Sequence, residues 1–250
     1  MGIVRLNPEE VLVVDGRDYD VLDRAVDHVL DVEGAIVEIG TRLGGSVKLI
    51  IDRLLDHNAV RDRLIIAIDP YGDIAYPSTN KSVACQEVIG RQYEIVGDPM
   101  STEVVIPDVH HDYTNDMRNY FLPSLYHYAF QAGVNFQFLQ LTDTEYMKRF
   151  PDGFPTYVNG VERIVDRYSL TFLDGPHTTD AVMKEAVFFG SRTSVGGYLV
   201  FDDPWMYDHE KVDGVVREFG FELIEMPQLI GTIHKSKASY RRASLKRKRS

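Results

Sequence analysis

Val37-Glu38-Ile39-Gly40-Thr41-Arg42-Leu43-Gly44-Gly45-Ser46 reads as a short buried strand that turns through glycines into a helix. Glycines at such a turn let backbone approach a ligand closely and aim helix N–H groups at it. Two later segments, Leu173-Asp174-Gly175-Pro176-His177 and Phe201-Asp202-Asp203, read as strand ends carrying carboxylates. If these strands share one parallel sheet, the three acidic clusters emerge at one edge, where open α/β sheets bind ligands. That combination points to a nucleotide-like cofactor beside a metal ion.

The surrounding pattern supports an alternating α/β chain. Pro8 to Asp31 carries apolar residues at helical spacing, including Val21, Leu22, Ala25, Val26 and Val29. Ala35 to Ile39 is the first strand, and a helix follows over Gly44 to His57. Leu64-Ile65-Ile66-Ala67-Ile68 is a continuous β-prone run, as in a strand covered on both faces, and it stops at Asp69-Pro70. Helices are expected over Asn115 to Ala132, Asp143 to Phe150, Thr178 to Ser191 and Asp208 to Phe219. Strands are expected over Phe136 to Leu141, Ser169 to Leu173 and Gly197 to Phe201, with closing strands over Phe221 to Met226 and Ile230 to His234. Tyr71 to Asp112 is a long, weakly periodic insertion, read as a lid or an oligomer contact.

The 250 residues suit one domain, taken as residues 1–234, with a basic tail at 235–250 read as a solvated, disordered end. Net charge is −11, but the tail holds eight Lys and Arg and no acid. The body before it therefore has 19 basic against 38 acidic residues. So acidic a body argues against a broad nucleic-acid surface, leaving weak contact through the tail. No apolar run is long enough to span a bilayer and no secretory signal is evident, so a cytoplasmic setting is expected. A single cysteine, Cys85, excludes an internal disulfide and a cysteine metal cage, and reads as a bystander thiol.

The candidate chemistry sits at the strand ends. A dinucleotide fingerprint would be G-x-G-x-x-G, and Glu38-x-Gly40-x-x-x-Gly44-Gly45 does not fit it. Glu38 would repel a pyrophosphate and would pair with a cationic amino group. Asp69 is placed to take ribose hydroxyls. Thr142 and Asp143 either meet an adenine edge or cap the following helix. Asp174, Asp202 and Asp203 offer three hard oxygen donors, suited to Mg²⁺ or another divalent cation that relieves their mutual repulsion. His177 is either a general base for a hydroxyl proton or a hydrogen-bonded turn residue. Asp208 and His209 either line the metal pocket or, as the favoured reading, begin the next helix. His110-His111 resembles a metal pair by type only, since neighbours on a strand point to opposite faces.

Together, Val37 to Ser46, Asp69, Leu173 to His177 and Val200 to Asp203 resemble class I S-adenosylmethionine-dependent methyltransferases. The likeness is strongest to metal-dependent small-molecule O-methyltransferases of the macrolide-sugar and aminocoumarin-sugar kind. The aspartate pattern is also similar to that of catechol O-methyltransferase. It covers Gly34 to Asp203 apart from the insertion. The resemblance implies a Rossmann-like, mostly parallel seven-stranded sheet with helices on both faces and a reversed last strand. It implies Glu38, Gly40, Thr41, Gly44 and Ser46 at the methionine part of S-adenosylmethionine, and Asp69 at its ribose. Asp174 joins the cofactor set, while the third-strand region departs from the family pattern, so Thr142 and Asp143 are expected at the adenine from their place alone. Asp174, Asp202 and Asp203 would hold Mg²⁺, with His177 as base. The expected reaction is O-methylation of a small hydroxylated acceptor, by a chain that could form homo-oligomers. The rivals are a nicotinamide-dependent oxidoreductase and a non-catalytic methyltransferase fold tethered by its basic tail.

Overall fold

The computed structural model describes residues 12, 19–60, 63–72, 76–80, 104–108, 114–158, 160–204, 206–226 and 237–243. In chain order the elements are α1 (Asp20–His28), β1 (Ala35–Ile39), α2 (Gly45–Asp56), β2 (Leu64–Ile68), β3 (Tyr76–Asn80), β4 (Val104–Asp108), α3 (Asn115–Ala132) and β5 (Asn135–Leu139). Then come α4 (Asp143–Arg149), β6 (Phe154–Val158), β7 (Val161–Val165), β8 (Tyr168–Leu173), α5 (Thr179–Arg192), β9 (Thr193–Asp202), α6 (His209–Glu218), β10 (Phe221–Glu225) and β11 (Lys237–Arg242).

Seven strands form one sheet in the order β10-β11-β9-β8-β1-β2-β5. β5, β2, β1, β8 and β9 pair in parallel. β11 runs antiparallel to both β9 and β10. This is the mostly parallel, helix-flanked Rossmann-like sheet expected, with its reversed strand.

Strand periodicity divides the core in two. Ile36, Ile65, Ala67, Leu170, Phe172 and Val200 face a layer built by α1, α2 and α3. Val37, Ile39, Ile66, Ile68, Leu199 and Phe201 face the layer of α4, α5 and α6. Burial on both sides explains why β1, β2 and β8 are apolar almost without alternation. Gly133, with φ 74°, terminates α3, because a left-handed residue there closes the last carbonyls without a Cβ penalty.

Three differences from the sequence reading stand out. β6 and β7 form an unanticipated hairpin before β8. Within the insertion, β3 and β4 pair as a separate two-stranded sheet. The tail boundary is corrected: Lys237 to Arg242, taken as disordered, is an interior strand of the main sheet. Its basic side chains hid this, and two of them are held inside the fold. Arg242 donates to the carbonyls of Gly190 at 3.1 Å and Ser191 at 3.4 Å, and Lys237 is fully buried. The strand expected over Ile230 to His234, together with Cys85 and His110-His111, lies outside the described residues. Among the described residues, no helix is long and apolar enough to cross a membrane.

Candidate active site at the strand ends

Register alone builds the site. Ile39 lies opposite Ile68 and Leu173, and Leu173 lies opposite Phe201. The next residues, Gly40, Asp69, Asp174 and Asp202, therefore form a row across four neighbouring strands at their carboxyl ends, where such sheets bind ligands.

Glu38 shares the parity of Ile36 and so points to the α2 layer. It is fully buried there, and the Ser46 hydroxyl from the first turn of α2 donates to its Oε1. The chain leaves β1 through Gly40, at φ +87°. A Cβ on Gly40 would meet the Asp174 carbonyl oxygen at 2.0 Å, so only glycine fits. Gly44, at φ +75°, caps α2, and a Cβ there would press on Leu125 and Phe121. Thr41 is 2% exposed, and its Oγ1 makes no hydrogen bond among the described residues. A buried orphan hydroxyl beside a carboxylate and a helix N-terminus is a donor set suited to a polar zwitterionic group.

Asp69 is turned inward, with 1% exposure. Its Oδ2 accepts from the Thr41 N–H at 2.9 Å and the Arg42 N–H at 3.1 Å, and its Oδ1 accepts from the Tyr71 N–H at 3.1 Å. The Tyr71 hydroxyl donates to the Arg42 carbonyl. Arg42 and Tyr71 both sit at φ 44°, left-handed for non-glycine residues, and this clasp holds them there. Burial pushes the Asp69 carboxyl up to about 6, although the three backbone N–H groups favour its ionised form. The carboxylate read as a ribose ligand thus also ties the glycine turn to the end of β2.

At the end of β5, Thr142 acts as the helix cap. Its Oγ1 accepts from the Glu145 N–H at 3.1 Å, and the Glu145 carboxylate accepts from the Thr142 N–H at 3.1 Å. Asp143 is 8% exposed, and burial raises its pKa.

The acidic cluster lies on the other side of the row. His177 Nε2 is 3.6 Å from Asp174 Oδ1, and its Nδ1 is 3.9 Å from Asp203 Oδ2. Asp174, His177 and Asp202 each present one ligand atom, all within 4.8 Å of one another. Asp203, at φ 46°, thus stands against the other ring nitrogen, and the three carboxylates gather round His177. Oxygen donors so gathered suit a small divalent cation, with the imidazole beside them. Asp208 caps α6, which begins at His209, so these two start a helix as read.

Two residues were missed. Lys237 donates to Asp202 Oδ1 at 2.6 Å. Glu185, at 1% exposure on α5, lies under the Asp174–His177 turn, 3.2 Å from where a Cβ on Gly175 would be. Its Oε1 has no hydrogen-bond partner among the described residues. Burial, reinforced by Asp143, pushes its carboxyl well above the usual range. A signal for Glu185 exists in the sequence, since it falls among Val182, Ala186 and Phe189 on the core face of its helix. Lys237 gave none beyond its place in a basic run.

No protein-family profile matches this sequence, and no curated protein does. Solved structures do match. The O-methyltransferase NovP superposes with a TM-score of 0.54 at 20% identity, over 90% of this chain and 79% of that one. CalS11, a calicheamicin methyltransferase, gives a TM-score of 0.53 at 15% identity, over 88% and 77% of the two chains. The chain has the Rossmann-like fold of class I methyltransferases.

Proposed function

We propose that this chain is an S-adenosylmethionine-dependent methyltransferase acting on a hydroxyl of a small molecule, with a divalent cation at Asp174, Asp202 and Asp203 and His177 beside it as the base. The observation that carries this reading is the row Gly40, Asp69, Asp174, Asp202. It sets a glycine turn with a buried acid directly beside a cluster of cation donors. The NovP and CalS11 folds agree with it.

Glu38 pairs with the cationic amino group of the cofactor's methionine part, helped by Ser46, while Thr41 Oγ1 and the first turn of α2 meet the carboxylate. Asp69 serves the ribose side, chiefly by holding the Thr41–Arg42 turn in place. The Thr142–Asp143 corner borders the adenine. Bound there, the sulfonium supplies an electrophilic methyl group. A cation at the acidic cluster supplies Lewis acidity to the acceptor hydroxyl. His177 takes the hydroxyl proton, and Asp174 and Asp203 stabilise the imidazolium by their charge. Holding acceptor oxygen and methyl carbon in line supplies much of the acceleration.

Testing this reading requires S-adenosylmethionine titration with and without Mg²⁺, beside NAD. It also requires a screen of hydroxylated sugars and natural products for methyl incorporation, with Asp202→Ala as control. Binding of S-adenosylmethionine and loss of transfer in the variant are expected. Binding of NAD alone would instead favour the oxidoreductase.

A further inference from the structure

We propose that Lys237 is a resident counter-ion of the acidic cluster, which keeps the cluster folded without a divalent cation and weakens the cation's binding. This rests on the reading that a divalent cation occupies Asp174, Asp202 and Asp203.

The geometry is specific. Lys237 lies directly opposite Asp202 in the β11–β9 register. Nζ is 2.6 Å from Asp202 Oδ1, and both side chains are 1% exposed. The ammonium sits 4.4 Å from the centre of the Tyr19 ring and 5.2 Å from that of Phe172. Both aromatic faces favour a cation. A buried lysine is costly unless paired, and a buried carboxylate equally so. Here each offsets the other.

The consequence is electrostatic. Asp174, Asp202 and Asp203 bring three negative charges to one sheet edge, and His177 stands among them. Lys237 removes one unit of that charge from behind Asp202. A divalent cation arriving at the same carboxylate then meets a fixed positive charge, in a medium that screens it poorly. In this account the ammonium holds Asp202 still and also lowers the site's affinity, so metal can come and go with the acceptor.

The test compares the full chain with Lys237→Met, Lys237→Gln and the Lys237→Met/Asp202→Asn double variant. Mn²⁺ binding is measured by calorimetry, and melting temperature is recorded in EDTA and in Mn²⁺. Lys237→Met and Lys237→Gln are expected to bind Mn²⁺ about tenfold tighter or more, from the removed repulsion. They should melt lower than wild type in EDTA and regain most of that loss with Mn²⁺. The double variant, with neither charge buried, should lose this metal-dependent recovery. If Lys237→Met does not fold, the same comparison is read on Lys237→Gln, whose amide still donates to Asp202. Wild type binding Mn²⁺ with both variants binding no tighter would overturn the proposal and leave the cation reading standing. Mn²⁺ binding by none of these proteins would overturn both.

Discussion

Gly40 and Asp174 are in backbone contact, so close that a β-carbon on Gly40 would lie 2.0 Å from the Asp174 carbonyl oxygen. The Asp174 N–H in turn donates to the Ile39 carbonyl at 2.9 Å. The glycine turn and the acidic cluster are thus one rigid unit, and a change at either is felt by both.

Gly40→Ala follows directly. It places a side chain at φ +87° and against backbone that cannot yield. A loss of more than about 3 kcal/mol of folding stability is expected, together with loss of cofactor binding. Urea denaturation of the variant checks the first part. A stability within about 1 kcal/mol of wild type would mean the turn is looser than this contact requires.

Asp69→Asn replaces one of the two oxygens that face the N–H groups of Thr41, Arg42 and Tyr71 with an amide donor. One donor at least then meets another donor. The expected cost is about 1–3 kcal/mol, with weaker S-adenosylmethionine binding as the turn loosens. Calorimetry and denaturation on the same preparation read both. Unchanged affinity would remove Asp69 from the cofactor account.

Burial raises the carboxyl of Asp69 to about 6 and that of Glu185 well above its usual range. For a carboxyl raised in the fold, the native state holds the proton longer than the unfolded chain does. The stabilisation is present at low pH and is lost as pH rises through the folded value. For Asp69 that loss runs from about 4 to about 6, and for Glu185 it extends higher. Glu185→Gln cannot ionise, so its melting temperature should fall less than that of wild type between pH 5 and pH 8. Parallel pH profiles for the two proteins would contradict the assignment.

His177→Gln keeps the side chain's size and polarity but cannot act as a base. Methyl transfer is expected to fall by about 10²- to 10⁴-fold, with S-adenosylmethionine affinity retained. Mn²⁺ affinity should stay near that of wild type, because Asp174, Asp202 and Asp203 are untouched. Transfer at the wild-type rate would reassign the proton to Asp174 or Asp203.

Much of the frame was legible in the sequence, and for definite reasons. Ala35–Ile39 and Leu64–Ile68 are buried on both faces, so their runs of apolar residues admit few alternatives. The helix expected over Asn115 to Ala132 ends where expected, because glycine follows it and takes the left-handed cap. Lys237–Arg242 was read as tail, since a strand of Lys, Ala, Ser, Tyr and Arg carries neither strong alternation nor an apolar run. What makes it a strand is pairing on both sides, which is tertiary information. The site shows the same division. Gly40, Glu38 and the aspartates were visible as residue types at strand ends. The inward turn of Asp69, the approach of His177 to Asp174, and the Lys237–Asp202 pair depend on register between distant strands.

The central claim is that the Glu38–Ser46 turn holds S-adenosylmethionine beside the acidic cluster. Its most direct measurement is calorimetric titration of S-adenosylmethionine into the full chain, with Glu38→Gln and NAD as controls. The account predicts saturable one-to-one binding by the wild type, clear weakening in the variant, and no heat from NAD. Absence of binding by the wild type, or equal affinity in Glu38→Gln, would contradict it.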